Sequence, residues 1–221
     1  MHDKPCIFFD LDGTLTDPAE GITNAVAYAL AKWDIVVEDK QTLIPFIGPP
    51  LAESFQQFYG FSEADAALCV QYYREYFPNK GIYENRVYEG IPELLAMLQQ
   101  SGKKLVLATS KPAVYAVRIL EQFQLSSYFS FVSGSELDGT RVKKAEVIAY
   151  ALEKCGIDNP EQVVMVGDRE HDVLGAHALG IQCIGVLFGY GDEHELTTAK
   201  ADMLVSSVEE LAEVLGMEVG S

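Results

Sequence analysis

Five short runs of nearly unbroken apolar character punctuate the chain: Cys6-Ile7-Phe8-Phe9, Lys104 to Ala108, Phe129 to Val132, Val163 to Val166 and Cys183 to Val186. Such runs suit strands covered on both faces, because each face then needs an apolar residue. Between and after them lie stretches with apolar residues at helical spacing, 91–100, 112–124, 143–155, 170–179 and 207–215. Pro92 and Pro112 stand where a first helical turn tolerates a missing N–H, and Gly102, Gly156, Gly180 and Gly216 follow as helix stops. Strand alternating with helix predicts an α/β fold with a parallel, doubly wound sheet and right-handed crossovers. Its reactive crevice belongs beyond the carboxyl ends of the strands.

The segment 16–85 breaks this rhythm. Ile22, Val26, Ala29 and Leu30 share one helical face, Leu51, Phe55 and Phe58 another, and Ala66, Val70, Tyr73 and Phe77 a third. No convincing strand lies among them, so the spacing predicts a small α-helical domain over 16–85, inserted into a sheet domain built from 1–15 and 86–221. The alternative is that these helices pack into one larger core. Pro45, Gly48, Pro49 and Pro50 interrupt helix formation and predict a stiff loop.

Composition narrows the partners. Of 221 residues 48% are hydrophobic and 22% charged, a globular balance, and 16 basic against 33 acidic residues leave a net charge of -17. That field opposes a nucleic-acid polymer, yet a small phosphate ester remains open to it, because a bound cation and a few donors reverse the potential inside one pocket. No apolar run reaches membrane-spanning length, and Asp10 and Asp12 interrupt the amino-terminal region before a signal-like segment is complete. Cys6, Cys69, Cys155 and Cys183 are scattered, without a CxxC, and read as reduced core thiols. The expectation is a cytoplasmic protein without a membrane partner. Without a sustained heptad, it is expected to be a monomer or weak homodimer.

Two acidic pairs close apolar runs. Asp10 and Asp12, followed by Gly13, end the first; Asp168 and Asp172 follow Gly167 after the fourth. A turn can bring Asp10 and Asp12 to one site, and Asp168 and Asp172 lie one helical turn apart. Hard carboxylate oxygens converging from two strand ends suit magnesium, since concentrated like charge costs stability unless a cation or proton compensates. The blander reading makes Asp168 a helix cap and Asp172 an exposed side chain. Thr109-Ser110, before Pro112, can hold phosphoryl oxygens at a helix entrance or simply cap it. Lys143 and Lys144 are a basic pair opening a helical pattern, where the helix field offers a cation nothing.

In order and spacing, Phe8-Phe9-Asp10-Leu11-Asp12-Gly13-Thr14-Leu15, Thr109-Ser110-Lys111, Lys144 and Gly167-Asp168-Arg169-Glu170-His171-Asp172 resemble the four motifs of the haloacid dehalogenase-like hydrolases. The resemblance spans nearly the whole chain and implies a Rossmann-like core with an inserted helical cap of the phosphoglycolate phosphatase-like type. It implies that Asp10 attacks phosphorus to form an aspartyl-phosphate and that Asp12 acts as acid and then base. Mg2+ would be held by Asp10, the backbone carbonyl of Asp12 and Asp168, with Asp172 supporting it directly or through water. Thr109, Ser110, Gly13 and Lys144 would bind the phosphoryl group, Lys144 being preferred to Lys143 on its place before Ala145-Glu146.

The loop Ile47-Gly48-Pro49-Pro50-Leu51 is similar to that of 5'-nucleotidases within this branch. The resemblance therefore implies a magnesium-dependent phosphomonoesterase for a small soluble ester, a nucleoside 5'-monophosphate first. Phosphoglycolate or a sugar phosphate is the alternative, as are a β-phosphoglucomutase-like phosphotransferase and a phosphate-binding module without turnover. Substrate choice is expected in the cap, at Gly48, Pro49 and Pro50 and at Asn85 and Arg86 near the return. Most cap aromatics, by their helical spacing, form its core.

Overall fold

The computed structural model of the chain describes residues 1–217. Its elements begin with β1 (Cys6–Phe9), the short strand β2 (Thr16–Asp17) and the helices α1 (Ala19–Ala31), α2 (Leu51–Tyr59) and α3 (Glu63–Tyr76). A second short strand, β3 (Arg86–Val87), pairs with β2. There follow α4 (Ile91–Gln100), β4 (Lys104–Pro112), α5 (Ala113–Gln122), β5 (Phe129–Ser135), α6 (Lys144–Cys155) and β6 (Val163–Gly167). The chain then forms α7 (Glu170–His177), β7 (Gln182–Val186), α8 (Glu193–Thr198), β8 (Met203–Val205) and α9 (Val208–Val214). Two compact units result, Asp17–Arg86 and the remainder of the chain.

Six strands form a parallel sheet in the order β5-β4-β1-β6-β7-β8. Phe8 stands opposite Val106 and Met165, and Met165 opposite Cys183, so the four share one face. There they pack with Val147, Ile148 and Ala151 of α6 and Val173 and Ala176 of α7. Ile7 and Phe9 point to the other face and are equally buried, which is why the first strand is apolar at every position. From β1 the chain builds outward through β4 and β5, then returns to the far side of β1 for β6 to β8. The order of strands reverses at β1, and the carboxyl ends of β4, β1 and β6 surround the switch point.

The Asp17–Arg86 unit is helical, apart from the boundary strands. Ile22, Val26 and Leu30 of α1, Leu43 and Phe46 of a 3-10 turn over Lys40–Phe46, Phe55 of α2 and Ala66, Cys69 and Tyr73 of α3 are buried. Phe46 and Phe55 meet with ring centroids 5.0 Å apart. The Ser62 hydroxyl accepts from the Asp65 N–H at 3.1 Å and so starts α3.

Elements of weak periodicity escape the sequence reading. The helix α8 contains one apolar side chain, Leu196, and is fixed by Asp192, whose carboxylate accepts from the Glu195 N–H at 2.7 Å. The edge strand β8 has three residues. Pro112 ends β4 instead of opening the next helix: its ψ of 129° is extended, and α5 starts at Ala113. No helix among the described residues is long and apolar enough to cross a membrane.

Candidate active site

The carboxyl ends of β1 and β6 bring three buried carboxylates together. Asp10 follows β1 and Asp168 follows β6, while Asp172 lies in the first turn of α7; one oxygen from each lies within 4.8 Å of the others. Asp10 is 6% exposed, Asp168 0% and Asp172 1%. Local geometry is built for this convergence. A Cβ on Gly167 would stand 2.2 Å from the Asp172 Cγ, so only glycine lets Asp172 fold back over the end of β6. Gly13 has φ +81°, and a Cβ there would stand 2.0 Å from the Asp168 Oδ2.

The blander reading of the second acidic pair does not describe these residues. Arg169, not Asp168, occupies the cap position of α7, and Asp172 is buried while its Oδ2 accepts from the Arg169 N–H at 3.1 Å. Asp168 takes a hydrogen bond from the Tyr190 N–H at 2.8 Å, a partner 22 residues later in the chain.

Lys144 is the cation of the cluster, and Lys143 is exposed. The Lys144 ammonium reaches Asp10 Oδ1 at 2.8 Å and Asp172 Oδ1 at 2.7 Å, and donates to the Ala108 carbonyl at 3.1 Å. The ammonium is thus ion-paired with two carboxylates and hydrogen-bonded to one carbonyl. Burial alone would lower its pKa; Asp10 and Asp172 more than offset that and hold it above the ordinary lysine range. Asp168 is likewise pushed well up, by burial and then by the charges of Asp172 and Asp10, and for a carboxyl that rise disfavours the charged form. Burial also raises Asp172, against the pull of Lys144. Three carboxylates and one ammonium leave an excess of buried negative charge, and hard oxygen donors in that state fit a divalent cation such as magnesium.

Asp12 stands apart from this cluster, paired through Oδ2 with the Lys111 ammonium at 2.6 Å. Burial raises its pKa and Lys111 works against the rise. Motif spacing gave Lys111 no role, since its partner depends on β4 continuing in extended form through Pro112. Thr109 is buried at the end of the apolar part of β4, and its hydroxyl accepts from the Lys111 N–H at 3.3 Å. Ser110 is half-buried, and its carbonyl accepts from the Ser135 hydroxyl at 2.7 Å. In the helical unit, Asn85 and Arg86 line a cavity together with Glu84, whereas the half-buried Gly48, Pro49 and Pro50 do not.

Known proteins match this arrangement. Residues 7–186 fit the profile of the haloacid dehalogenase-like hydrolases. A 5'-nucleotidase of Pseudomonas aeruginosa is 49% identical over 211 residues, 96% of this chain and 95% of that protein. Tyrosine-protein kinase PtkA of Mycobacterium tuberculosis is 38% identical over 213 residues, covering 96% of this chain and 72% of the kinase. The crystal structure of a predicted phosphatase from Clostridium acetobutylicum superposes with a TM-score of 0.93 at 48% identity, covering 95% of this chain and 97% of that one. Profile, near-full-length identity, sheet topology and the acidic cluster at the strand ends agree: the chain belongs to the haloacid dehalogenase-like hydrolases, as a phosphatase with an inserted helical cap.

Proposed function

We propose that this chain is a magnesium-dependent phosphomonoesterase that works through an aspartyl-phosphate on Asp10, with nucleoside 5'-monophosphates as its substrates. The observation that carries the chemistry is the meeting of Asp10, Asp168 and Asp172 around Lys144 at the ends of β1 and β6. Near-full-length identity to the Pseudomonas aeruginosa 5'-nucleotidase supports the substrate class.

In this reading a carboxylate oxygen of Asp10 bonds to phosphorus as the ester oxygen leaves, and Asp12, protonated at the start, gives that oxygen its proton. Water then attacks the acyl phosphate, Asp12 takes its proton back, and Asp10 is released with inorganic phosphate. The raised pKa of Asp12 favours the starting proton, and the neighbouring Lys111 favours giving it up. Lys144 fixes Asp10 and pairs with incoming phosphoryl charge, while Thr109, Ser110 and the backbone at Gly13 hold its oxygens. Asp10, Asp168 and the carbonyl of Asp12, supported by Asp172, would hold Mg2+, whose charge offsets repulsion between Asp10 and an anionic ester. The PtkA relationship favours a second reading, in which an acceptor other than water takes the phosphoryl group.

Phosphate release from nucleoside 5'-monophosphates, phosphoglycolate and sugar phosphates, with magnesium and after chelation, tests the proposal. Metal-dependent release greatest for nucleotides is the expected result. Equal turnover after chelation would reject the mechanism, and preference for phosphoglycolate would reject the substrate.

The buried charge also sets a stability pattern. A carboxylate whose pKa is raised on folding contributes stability below its ordinary range, lost as pH rises towards the folded value. Asp168→Asn is therefore expected to stabilise the metal-free protein at pH 8 by about 1 kcal/mol, or roughly 2–4 °C in Tm. The gain should vanish near pH 4, where Asp168 is protonated. Saturating magnesium should reverse the order, since only the parent retains the full ligand set. Melting curves at both pH values, with and without magnesium, check this; a variant less stable than the parent without metal at pH 8 would refute it.

A further inference from the structure

The turn that carries Asp168 to Asp172 is gripped by one later segment of the chain, the loop after β7 and the helix α8. The first hold is on a carboxylate of the cluster itself. The Tyr190 N–H donates to Asp168 Oδ2 at 2.8 Å, and the backbone packs so closely there that a Cβ on Gly191 would stand 1.9 Å from the Asp168 carbonyl oxygen. The second hold is on the two residues that follow. Glu195 Oε1 accepts from Arg169 Nε at 2.8 Å and from the Glu170 N–H at 2.8 Å, so one carboxylate oxygen spans both. Arg169 is in turn tied to the other end of the acidic pair, since its N–H donates to Asp172 Oδ2 at 3.1 Å.

Packing alone explains this arrangement poorly. The helix α8 has six residues and buries one apolar side chain, Leu196. The side chains of Arg169 and Glu195 are 17% and 22% exposed, and an ion pair in touch with solvent adds little to stability. Charge gives a better reason. Asp10, Asp168 and Asp172 repel one another across less than 4.8 Å, and the turn between the last two would relieve that repulsion by opening. Glu195 opposes the opening without adding net charge, because Arg169 balances it. Carboxylates already held together bind a cation more tightly than carboxylates that must first be gathered.

We infer that Glu195 is a positioning residue of the metal site: through Arg169 and the Glu170 N–H it fixes the turn between Asp168 and Asp172 and thereby sets the affinity for the divalent cation. The inference rests on the magnesium reading and deepens it. The residue it adds stands outside the acidic motifs, on a different helix, 26 residues beyond Arg169 in the chain.

Calorimetric titration of the metal-free protein with Mg2+, and titration with Mn2+ followed by the paramagnetic resonance of the free ion, read this affinity without turnover. In Glu195→Ala the dissociation constant is expected to rise about 10–100-fold, the usual loss when a group that supports metal ligands is removed. Glu195→Gln keeps an oxygen for the Glu170 N–H and should stay within about threefold of the parent. Arg169→Gln separates geometry from charge: removing a nearby cation would by charge alone tighten cation binding, whereas loss of the clamp weakens it. In phosphate release, the deficit of Glu195→Ala should close as magnesium is raised, with KM for the ester unchanged. A folded Glu195→Ala protein with the parent's cation affinity would overturn the inference while leaving the magnesium reading intact. Equal or tighter binding in Arg169→Gln would do the same, as would an equal loss in Glu195→Gln and Glu195→Ala. A parent that binds neither Mg2+ nor Mn2+ would overturn both.

Discussion

Asp10→Asn is expected to abolish the phosphoenzyme and to lower kcat/KM by on the order of 10⁴-fold or more, as removal of a nucleophile does elsewhere. The amide matches the carboxylate in shape at a position only 6% exposed, and Lys144 keeps Asp172 and the Ala108 carbonyl as partners. Folding should therefore survive, with one fewer like charge in the cluster. Acid-quenched incubation with a ³²P-labelled nucleotide reads the result directly: label on the parent protein, none on the variant. Asp10→Asn also removes a proposed metal ligand, so Asp168→Asn serves as the control. Its defect should shrink as magnesium is raised, whereas Asp10→Asn should stay inactive at any magnesium concentration. A normal amount of acid-stable label on Asp10→Asn would assign the nucleophile to another residue.

The strands nearest this chemistry were legible because burial on both faces left them no polar positions. Cys6–Phe9 and Val163–Gly167 are buried throughout, and each apolar run stops at an aspartate. The helix over 91–100 was equally plain, opened by Pro92 and followed by Gly102 at φ +83°. What sequence left open was pairing at a distance. Whether Asp168 caps a helix or joins a cluster depends on Tyr190 supplying an N–H from the loop after β7. Lys143 and Lys144 are neighbours of one type, and only the phase of α6 buries the second. Lys111 was visible inside a motif but its partner Asp12 was not. The contacts of Glu84 carried no sequence signal, because Gly21, Asn24 and Tyr76 meet it from helices elsewhere in the chain.

Lys144→Ala should cost the protein both stability and activity, and the two losses should respond differently to repair. The ammonium is 4% exposed and bridges Asp10 and Asp172, so its removal leaves two buried carboxylates facing each other. Breaking a buried pair in this way costs roughly 3–5 kcal/mol, which for a chain of this size lowers Tm by on the order of 10 °C. In the parent, the raised pKa of Lys144 keeps its contribution intact below the ordinary lysine value, with loss only as pH climbs through the folded value. In Lys144→Ala the deficit should be largest at neutral and higher pH and shrink towards pH 4, as the buried Asp172, whose pKa is raised by burial, takes up a proton. Adding Asp172→Asn should recover much of the stability by removing one of the two opposed charges. Turnover should not recover, because the phosphoryl group still lacks its cationic partner; kcat/KM is expected to stay about 10²–10³-fold below the parent. Thermal melts and phosphate release measured on the single and double variants separate the two contributions. Recovery of turnover together with stability would confine Lys144 to charge balance and remove it from the proposed phosphoryl-binding set.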